Sequence, residues 1–255
     1  MNKKILIIGS NGYLGKKLKR DLKHHFNIIE FNKRSNNRDI RNKDDVKEFF
    51  LKNNDVDIIL NLTGQISNKL LKTKTTNIFG SKNIIKYSNK DSLLIFFSSI
   101  LLKKNISNLN KDRKNYIDSK IRMEKLIKNS SRNFCIIRLG NVYDNKLDKK
   151  GLLKELKKHF FNSKKIKLNN LKEINYYIHY KDFLNYLINK IFRKKFKNKI
   201  FSLYTEKFSN IELFNLFRSL KENNINKVNL KNNKIFRKNL FKAKFNILNT
   251  IKKFQ

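Results

Sequence analysis

Residues 4–22 read KILIIGSNGYLGKKLKRDL, and this stretch decides the fold. Ile5 to Ile8 form a short apolar run of the length expected for a buried strand. Gly9, Gly12 and Gly15 follow at three-residue spacing, and a helical pattern runs on from about residue 13 to 24. Strand, glycine turn and helix in that order place a pyrophosphate at a helix N-terminus. One glycine permits the tight turn, a second lets phosphate approach the backbone, and a third lets the helix pack on the strand. The amides of the first helical turn then face the phosphates. Gly9, Asn11, Gly12, Tyr13, Leu14 and Gly15 are therefore the expected cradle of a dinucleotide.

Composition sharpens that reading. The chain has only 7 glycines in 255 residues, and Pro and Trp are absent. Lys, Asn, Ile and Phe abound, a skew that AT-rich codons explain. The 60 basic and 20 acidic residues leave a net charge of +40, which attracts anionic ligands. The lysines are spread along the whole chain instead of forming one basic block, so nucleic acid is not the expected main partner. The single cysteine, Cys135, excludes an internal disulfide, and the four histidines have no metal-ligand spacing, so no metal is expected. No run approaches the ~20 apolar residues of a membrane span. A cytoplasmic protein without membrane contact is expected.

Short apolar runs at Lys4–Ile8, Asn27–Phe31, Asp57–Asn61, Leu93–Ser98 and Phe134–Leu139 alternate with helical patterns near 13–24, 44–53, 76–88 and 116–129. That alternation predicts an α/β fold, a Rossmann-type doubly wound parallel sheet. After about residue 150 the rhythm changes. Helices are expected near 151–161, 180–194 and 210–221 around a strand at Ile200–Tyr204, with a last amphipathic helix over 237–255. The expected domains are a dinucleotide-binding domain at 1–150 and a small C-terminal substrate lobe at 151–255, some of it returning to the first sheet. The second strand runs out into Asn32, Lys33 and Arg34, where an acid would favour NAD; the cations lean towards NADP.

Tyr-x-x-x-Lys occurs at Tyr13/Lys17, Tyr116/Lys120, Tyr177/Lys181 and Tyr186/Lys190. In so lysine-rich a chain about two such pairs arise by chance. Only Tyr116 lies between the fourth strand, ending at Ser98-Ser99, and the fifth. It opens the helix YIDSK, where a spacing of four puts Tyr116 and Lys120 on one face.

With these pieces in order, the chain resembles an extended short-chain dehydrogenase/reductase of the epimerase/dehydratase family. The resemblance rests on GSNGYLG, RDI (38–40), DIILNLTG (57–64), NIFGSKNII (77–85), FFSS (96–99), YIDSK, RLGNVY (138–143), INYYIHYKDF (174–183) and KIFSLY. It implies that Tyr116 is the general acid/base and that Lys120 lowers its pKa and holds the nicotinamide ribose. Ser99 would hydrogen-bond the same substrate oxygen. It also implies that Asp39 meets the adenine, that Ile40, Leu62, Thr63 and Gly64 line the cofactor, that Asn77 shapes the site, and that Asn141 and His179 meet the substrate. Ser99 could instead simply end a strand, Asn77 cap a helix, and His179 pack at a lobe interface.

Two positions depart from the family. Ile100 and Leu101 stand where dehydratases carry an Asp-Glu pair, so sugar dehydration is not expected; Lys103-Lys104 replace the usual Tyr-Gly. The resulting expectation is an NAD- or NADP-dependent 4-keto reductase or 4-epimerase of a nucleotide-linked sugar, paired as a homodimer. The alternatives are a non-catalytic Rossmann protein that binds RNA, or a cofactor-binding regulator.

Overall fold

The computed structural model describes residues 3–33, 37–64, 75–103, 111–147, 149–193, 196, 198–222 and 243–254. In chain order the strands are β1 (Lys4–Ile8), β2 (Asn27–Phe31), β3 (Ile58–Asn61), β4 (Leu93–Ser99), β5 (Phe134–Leu139), β6 (Asn141–Tyr143), β7 (Ile174–His179), β8 (Lys199–Leu203) and β9 (Glu206–Ser209). The α-helices are α1 (Tyr13–Leu22), α2 (Lys43–Lys52), α3 (Gly80–Tyr87), α4 (Lys111–Lys128), α5 (Leu152–Phe161), α6 (Tyr180–Tyr186), α7 (Asn210–Lys221) and α8 (Ile247–Ile251). Among the described residues, no helix is long and apolar enough to cross a membrane.

The chain divides into two units, Met1–Leu139 with Lys194–Ser202, and Gly140–Arg193 with Leu203–Gln255. In the first, the sheet order is β2-β1-β3-β4-β5-β8, and β1 to β5 pair in parallel. Strand order reverses between β1 and β3, the place where doubly wound sheets open a crevice outside their carboxyl ends. Both faces of the sheet are covered, which is why β1 and β3 are apolar without alternation. Leu6, Ile8, Phe31, Phe96 and Ile136 meet in one core. Each such side chain is stabilised by roughly 1.5–3 kcal/mol on burial. Helix α2 starts where Asn42 accepts the Asp44 amide at 2.9 Å, with Asp44 and Asp45 in the first turn facing the positive helix end.

The second unit has its own sheet, β6-β7-β9, with β6 parallel and β9 antiparallel to β7. Helices α5, α7 and α8 cover it through Leu156, Leu213, Phe217, Ile247 and Ile251. A reciprocal capping box between Ser209 and Glu212 starts α7.

The differences from expectation are local. The unit boundary falls at 139/140 instead of 150, because β6 leaves the main sheet and pairs with β7. Strands β6, β7 and β9 were not expected; three or four residues, or a run as polar as INYYIH, give a weak strand pattern. The helix expected at 116–129 begins at Lys111, so Tyr116 sits in its second turn. The helix expected at 76–88 is π-wound over Thr75–Phe79. Of the helix expected at 237–255, residues 237–242 lie outside the described residues, and Asn246 starts the helical part by accepting the Asn249 amide at 2.7 Å.

Candidate active site

The glycine turn leaves β1 with Gly9 at φ +85°, a conformation that side chains resist. The Gly12 amide donates to the Gly9 carbonyl at 3.1 Å and closes the turn. A Cβ on Gly15 would stand 2.3 Å from the Gly9 carbonyl oxygen and 2.7 Å from the Ser10 Cα, both backbone atoms that cannot yield. A Cβ on Gly12 would meet only the Gly9 oxygen, at 3.4 Å, an ordinary contact. Backbone conformation at 9 and packing at 15 therefore demand glycine, and neither does so at 12. At 12 the bare backbone keeps open the N-terminus of α1, which no side chain caps. Those residues fit a pyrophosphate.

Asn32, buried beyond the tip of β2, accepts from the Asn11 amide at 2.7 Å and donates to the Ser10 hydroxyl at 2.9 Å. It is thus wired to the glycine turn. Lys33 is exposed and lies 3.8 Å from Asp39; Arg34 lies outside the described residues. The Asp39 carboxylate is gripped by the Arg41 guanidinium at 2.9 and 3.0 Å, which holds its pKa below the usual carboxylate range. Ile40 packs on Gly80, where a Cβ would come within 2.5 Å of it. At the end of β3, Asn61 accepts from both the amide and the hydroxyl of Thr63, fixing the Leu62-Thr63-Gly64 segment. Sequence reasoning passed over Asn61.

Helix α4 carries Tyr116 and Lys120 on one face. Lys120 is fully enclosed, and its Nζ donates to the carbonyls of Thr63 at 3.1 Å and Phe97 at 2.9 Å. The ammonium stands 4.5 Å from the centre of the Phe96 ring and 5.6 Å from that of Tyr116. A Cβ on Gly64 would lie 3.2 Å from this Nζ and 3.9 Å from the Tyr116 ring, so glycine keeps the β3 loop close to the pair. Ser99 accepts the Leu101 amide at 3.2 Å and hydrogen-bonds the Tyr116 phenol. Tyr116 itself remains partly exposed.

Burial pushes the Tyr116 phenol up to about 12, with the Ser99 hydrogen bond pulling the other way. Burial likewise brings Lys120 down to about 7, opposed by the charge of Glu124. Desolvation is the larger cause and the Ser99 hydrogen bond the smaller one, so the phenol's displacement is upward. At neutral pH the phenol holds its proton and is set to donate it.

Asn77 lies in the π-turn before α3 and donates to the Ser119 hydroxyl at 3.0 Å, while Ser119 donates to the Tyr116 carbonyl at 2.7 Å. It thus reaches the Tyr116 turn through Ser119, a residue with no signal in the sequence. The first unit brings Ser99, Tyr116, Lys120, Thr63 and Gly64 together.

Asn141 and His179 belong to the second unit. Asn141 is exposed on β6. His179 is buried at the end of β7, where its Nδ1 accepts the Lys181 amide at 3.2 Å and caps α6. Its Nε2 then carries the proton of the neutral ring and donates to Asn145 at 3.0 Å. The ring stacks on Phe245 at 4.3 Å and meets Tyr143 edge-on at 5.2 Å. Within this unit His179 is buried among Tyr143, Asn145 and Phe245. Among the described residues no cluster of metal-ligating side chains occurs.

The sequence profile of the NAD dependent epimerase/dehydratase family matches residues 5–201. No curated protein sequence matches the chain. Among solved structures, UDP-N-acetylglucosamine 4-epimerase from Bacillus cereus is similar at 15% identity and a TM-score of 0.72, covering 99% of this chain and 95% of that one. The dTDP-4-dehydrorhamnose reductase from Bacillus anthracis, solved with NADP, is 18% identical at a TM-score of 0.71, covering 87% and 82%. The UDP-glucose 4-epimerase from Thermus thermophilus, solved with NAD, is 13% identical at 0.65, covering 86% and 83%. At such identities the likeness is one of fold.

Proposed function

The chain belongs to the NAD dependent epimerase/dehydratase family, and on that premise we propose that it moves a hydride between NAD or NADP and a sugar carbon on a nucleotide carrier. The reaction would be 4-keto reduction or 4-epimerisation. The observation that carries this reading is the convergence of Ser99, Tyr116 and Lys120 after β3 and β4, beside the reversal of strand order. The glycine turn, Asn11, Asn32, Lys33 and the Leu62-Thr63-Gly64 segment would hold the cofactor. When bound, the nicotinamide supplies the hydride acceptor or donor.

The rest is the work of the chain's own residues. Tyr116 passes a proton to the sugar oxygen in reduction and takes one in oxidation. Ser99, already hydrogen-bonded to the phenol, donates to the same oxygen as negative charge develops there. Lys120, held by two carbonyls, fixes the ribose and favours the phenolate when charged. Ile100 and Leu101 follow Ser99 directly and cannot move protons, so dehydration is left out of the proposal.

Pairing of two copies through α4 belongs to the same reading. A groove of about 430 Å3 lined by Ile78, Phe79, Arg122 and Leu126 runs between the π-turn at Thr75–Phe79 and α4. Exposed Phe79 and Ile121 also face solvent.

Incubation with NADPH and dTDP-4-keto sugars, against NAD and UDP-sugars, separates the two reactions. Net loss of NADPH marks a reductase, and interconversion of UDP-sugars without net cofactor change marks an epimerase. Absence of turnover and of cofactor binding in both would sink the proposal.

A further inference from the structure

Lys120 is an ammonium enclosed among uncharged partners. The carbonyls that hold it carry no formal charge, and β3, β4 and their loops present Thr63, Gly64, Phe96 and Phe97 to it, none ionisable. Among the described residues, the ionisable groups of its surroundings are Tyr116 and Glu124 on α4 and, behind Glu124, Arg138 on β5. Glu124 follows Lys120 by four residues, so it shares the helix face of Tyr116 and Lys120. It is itself buried, at 5% exposure. Arg138 grips it with two bonds, Nε to Oε1 at 3.1 Å and Nη2 to Oε2 at 2.7 Å.

An ion pair between a helix and a strand with one member buried and the other about a third exposed adds little to stability, because desolvation of Glu124 and solvent screening at Arg138 offset their attraction. An apolar pair of similar volume would join α4 to β5 as well. What an apolar pair cannot do is supply negative charge to an enclosed ammonium, which without it sheds its proton. We propose that Glu124 is a positioning residue that keeps Lys120 in its ammonium form, and that Arg138 sets how much of that negative charge Lys120 feels. This rests on the reading of Tyr116 and Lys120 as reaction machinery. Tyr116, Lys120, Glu124 and Arg138 then form one electrostatic series, in which the far cation moderates the near one.

The signs follow from Coulomb's law. Removing the Glu124 charge leaves Lys120 facing Arg138 alone and destabilises the ammonium. Removing the Arg138 charge leaves Glu124 unmoderated and stabilises it. The test is an NMR titration of the full chain carrying 13Cε-labelled lysine, with the Lys120 signal identified by its loss in Lys120→Met. In Glu124→Gln the Lys120 midpoint is expected to fall by about one pH unit, a tenfold loss of ammonium at fixed pH. In Arg138→Gln it is expected to rise by about half a unit. Where turnover is measurable, the alkaline limb of its pH profile should move in the same two directions.

Unchanged midpoints, or shifts of the same sign in both variants, would overturn the proposal, since a merely structural pair predicts one or the other. Should Glu124→Gln fail to fold, the upward shift in Arg138→Gln decides alone. The titration needs neither cofactor nor substrate, so its failure is distinct from that of the proposed function, which falls if Tyr116→Phe keeps full turnover.

Discussion

Tyr116 in the first unit and Tyr143 in the second are both phenols set beside ionisable groups, and burial raises both pKa values. Their partners differ. The Tyr143 hydroxyl donates to Glu206 at 2.8 Å and also bonds Thr250. Glu206 in turn accepts the Ile247 amide at 3.0 Å, and nearby Asp182 accepts the amides of Lys244 and Phe245 at 3.1 Å. Those carboxylates bind the C-terminal segment onto its own unit, and Tyr143 is only 3% exposed. Tyr116 is partly exposed, and its hydrogen-bond partner is the hydroxyl of Ser99, which can serve a substrate equally well. A displaced pKa therefore does not identify a site. What does is a group that the fold positions, leaves reachable, and does not use to hold a neighbouring backbone.

The sharpest way to break that contrast is to remove each hydroxyl in turn. Tyr116→Phe should lower turnover by roughly 10²–10⁴-fold while cofactor binding and melting temperature stay nearly unchanged. Tyr143→Phe should leave the chemical step intact and lower stability by about 1–3 kcal/mol, since Glu206 loses a buried donor. Equal loss of turnover in both variants would erase the distinction.

A second pair of variants tests the anchoring role. Glu206→Ala should destabilise the protein by roughly 2–3 kcal/mol, leaving the Ile247 amide and the Tyr143 hydroxyl without their acceptor. Hydrogen exchange should quicken at 244–251 and not along α4. Uniform exchange across the chain would contradict it.

The glycine turn permits a similar separation on a smaller scale. Gly15→Ala should cost about 1–3 kcal/mol through backbone overpacking. Gly12→Ala should fold with almost unchanged stability and weaken NAD(P)H binding, read by fluorescence titration. Unimpaired binding in Gly12→Ala would remove the argument that this backbone is bare for a ligand.

A last contrast is the dependence of stability on pH, to which the two clusters give opposite signs. Lys120 titrates near 7 when folded and near 10.5 when unfolded, so the unfolded chain holds more protons in between. Its contribution to stability rises as pH climbs through that window. Glu206 is raised to about 7 from 4.5, so the folded chain holds the extra proton between those values. Its contribution is fully present below 4.5 and is lost as pH climbs to 7. Melting curves of Lys120→Met and Glu206→Gln against the parent should each flatten only their own window.

Much of the first unit was legible because its information is local. Gly9, Gly12 and Gly15 act within one turn, and Tyr116 and Lys120 share a face through a spacing of four. The strand runs of β1, β2 and β5 match their expected limits residue for residue. The second unit was less legible. The spacing around His179 left substrate contact and packing both open, and its surroundings come from Phe245 and Tyr143, which only folding brings to it. The Asp39 carboxylate, expected to meet adenine, is held by Arg41 two residues on, an ion pair that a loop rich in cations does not announce.

The sequence by itself determined the doubly wound sheet, the glycine turn and the shared helix face of Tyr116 and Lys120, because short periodicities and glycine geometry fix these before distant segments meet. Tertiary structure alone decided which groups are enclosed and what answers their charge: Lys120 between two carbonyls, Glu124 under Arg138, and Glu206 under Tyr143 and Ile247. The reason is physical. Desolvation and Coulomb terms depend on where segments far apart in the chain come to lie, and no spacing along the chain records that.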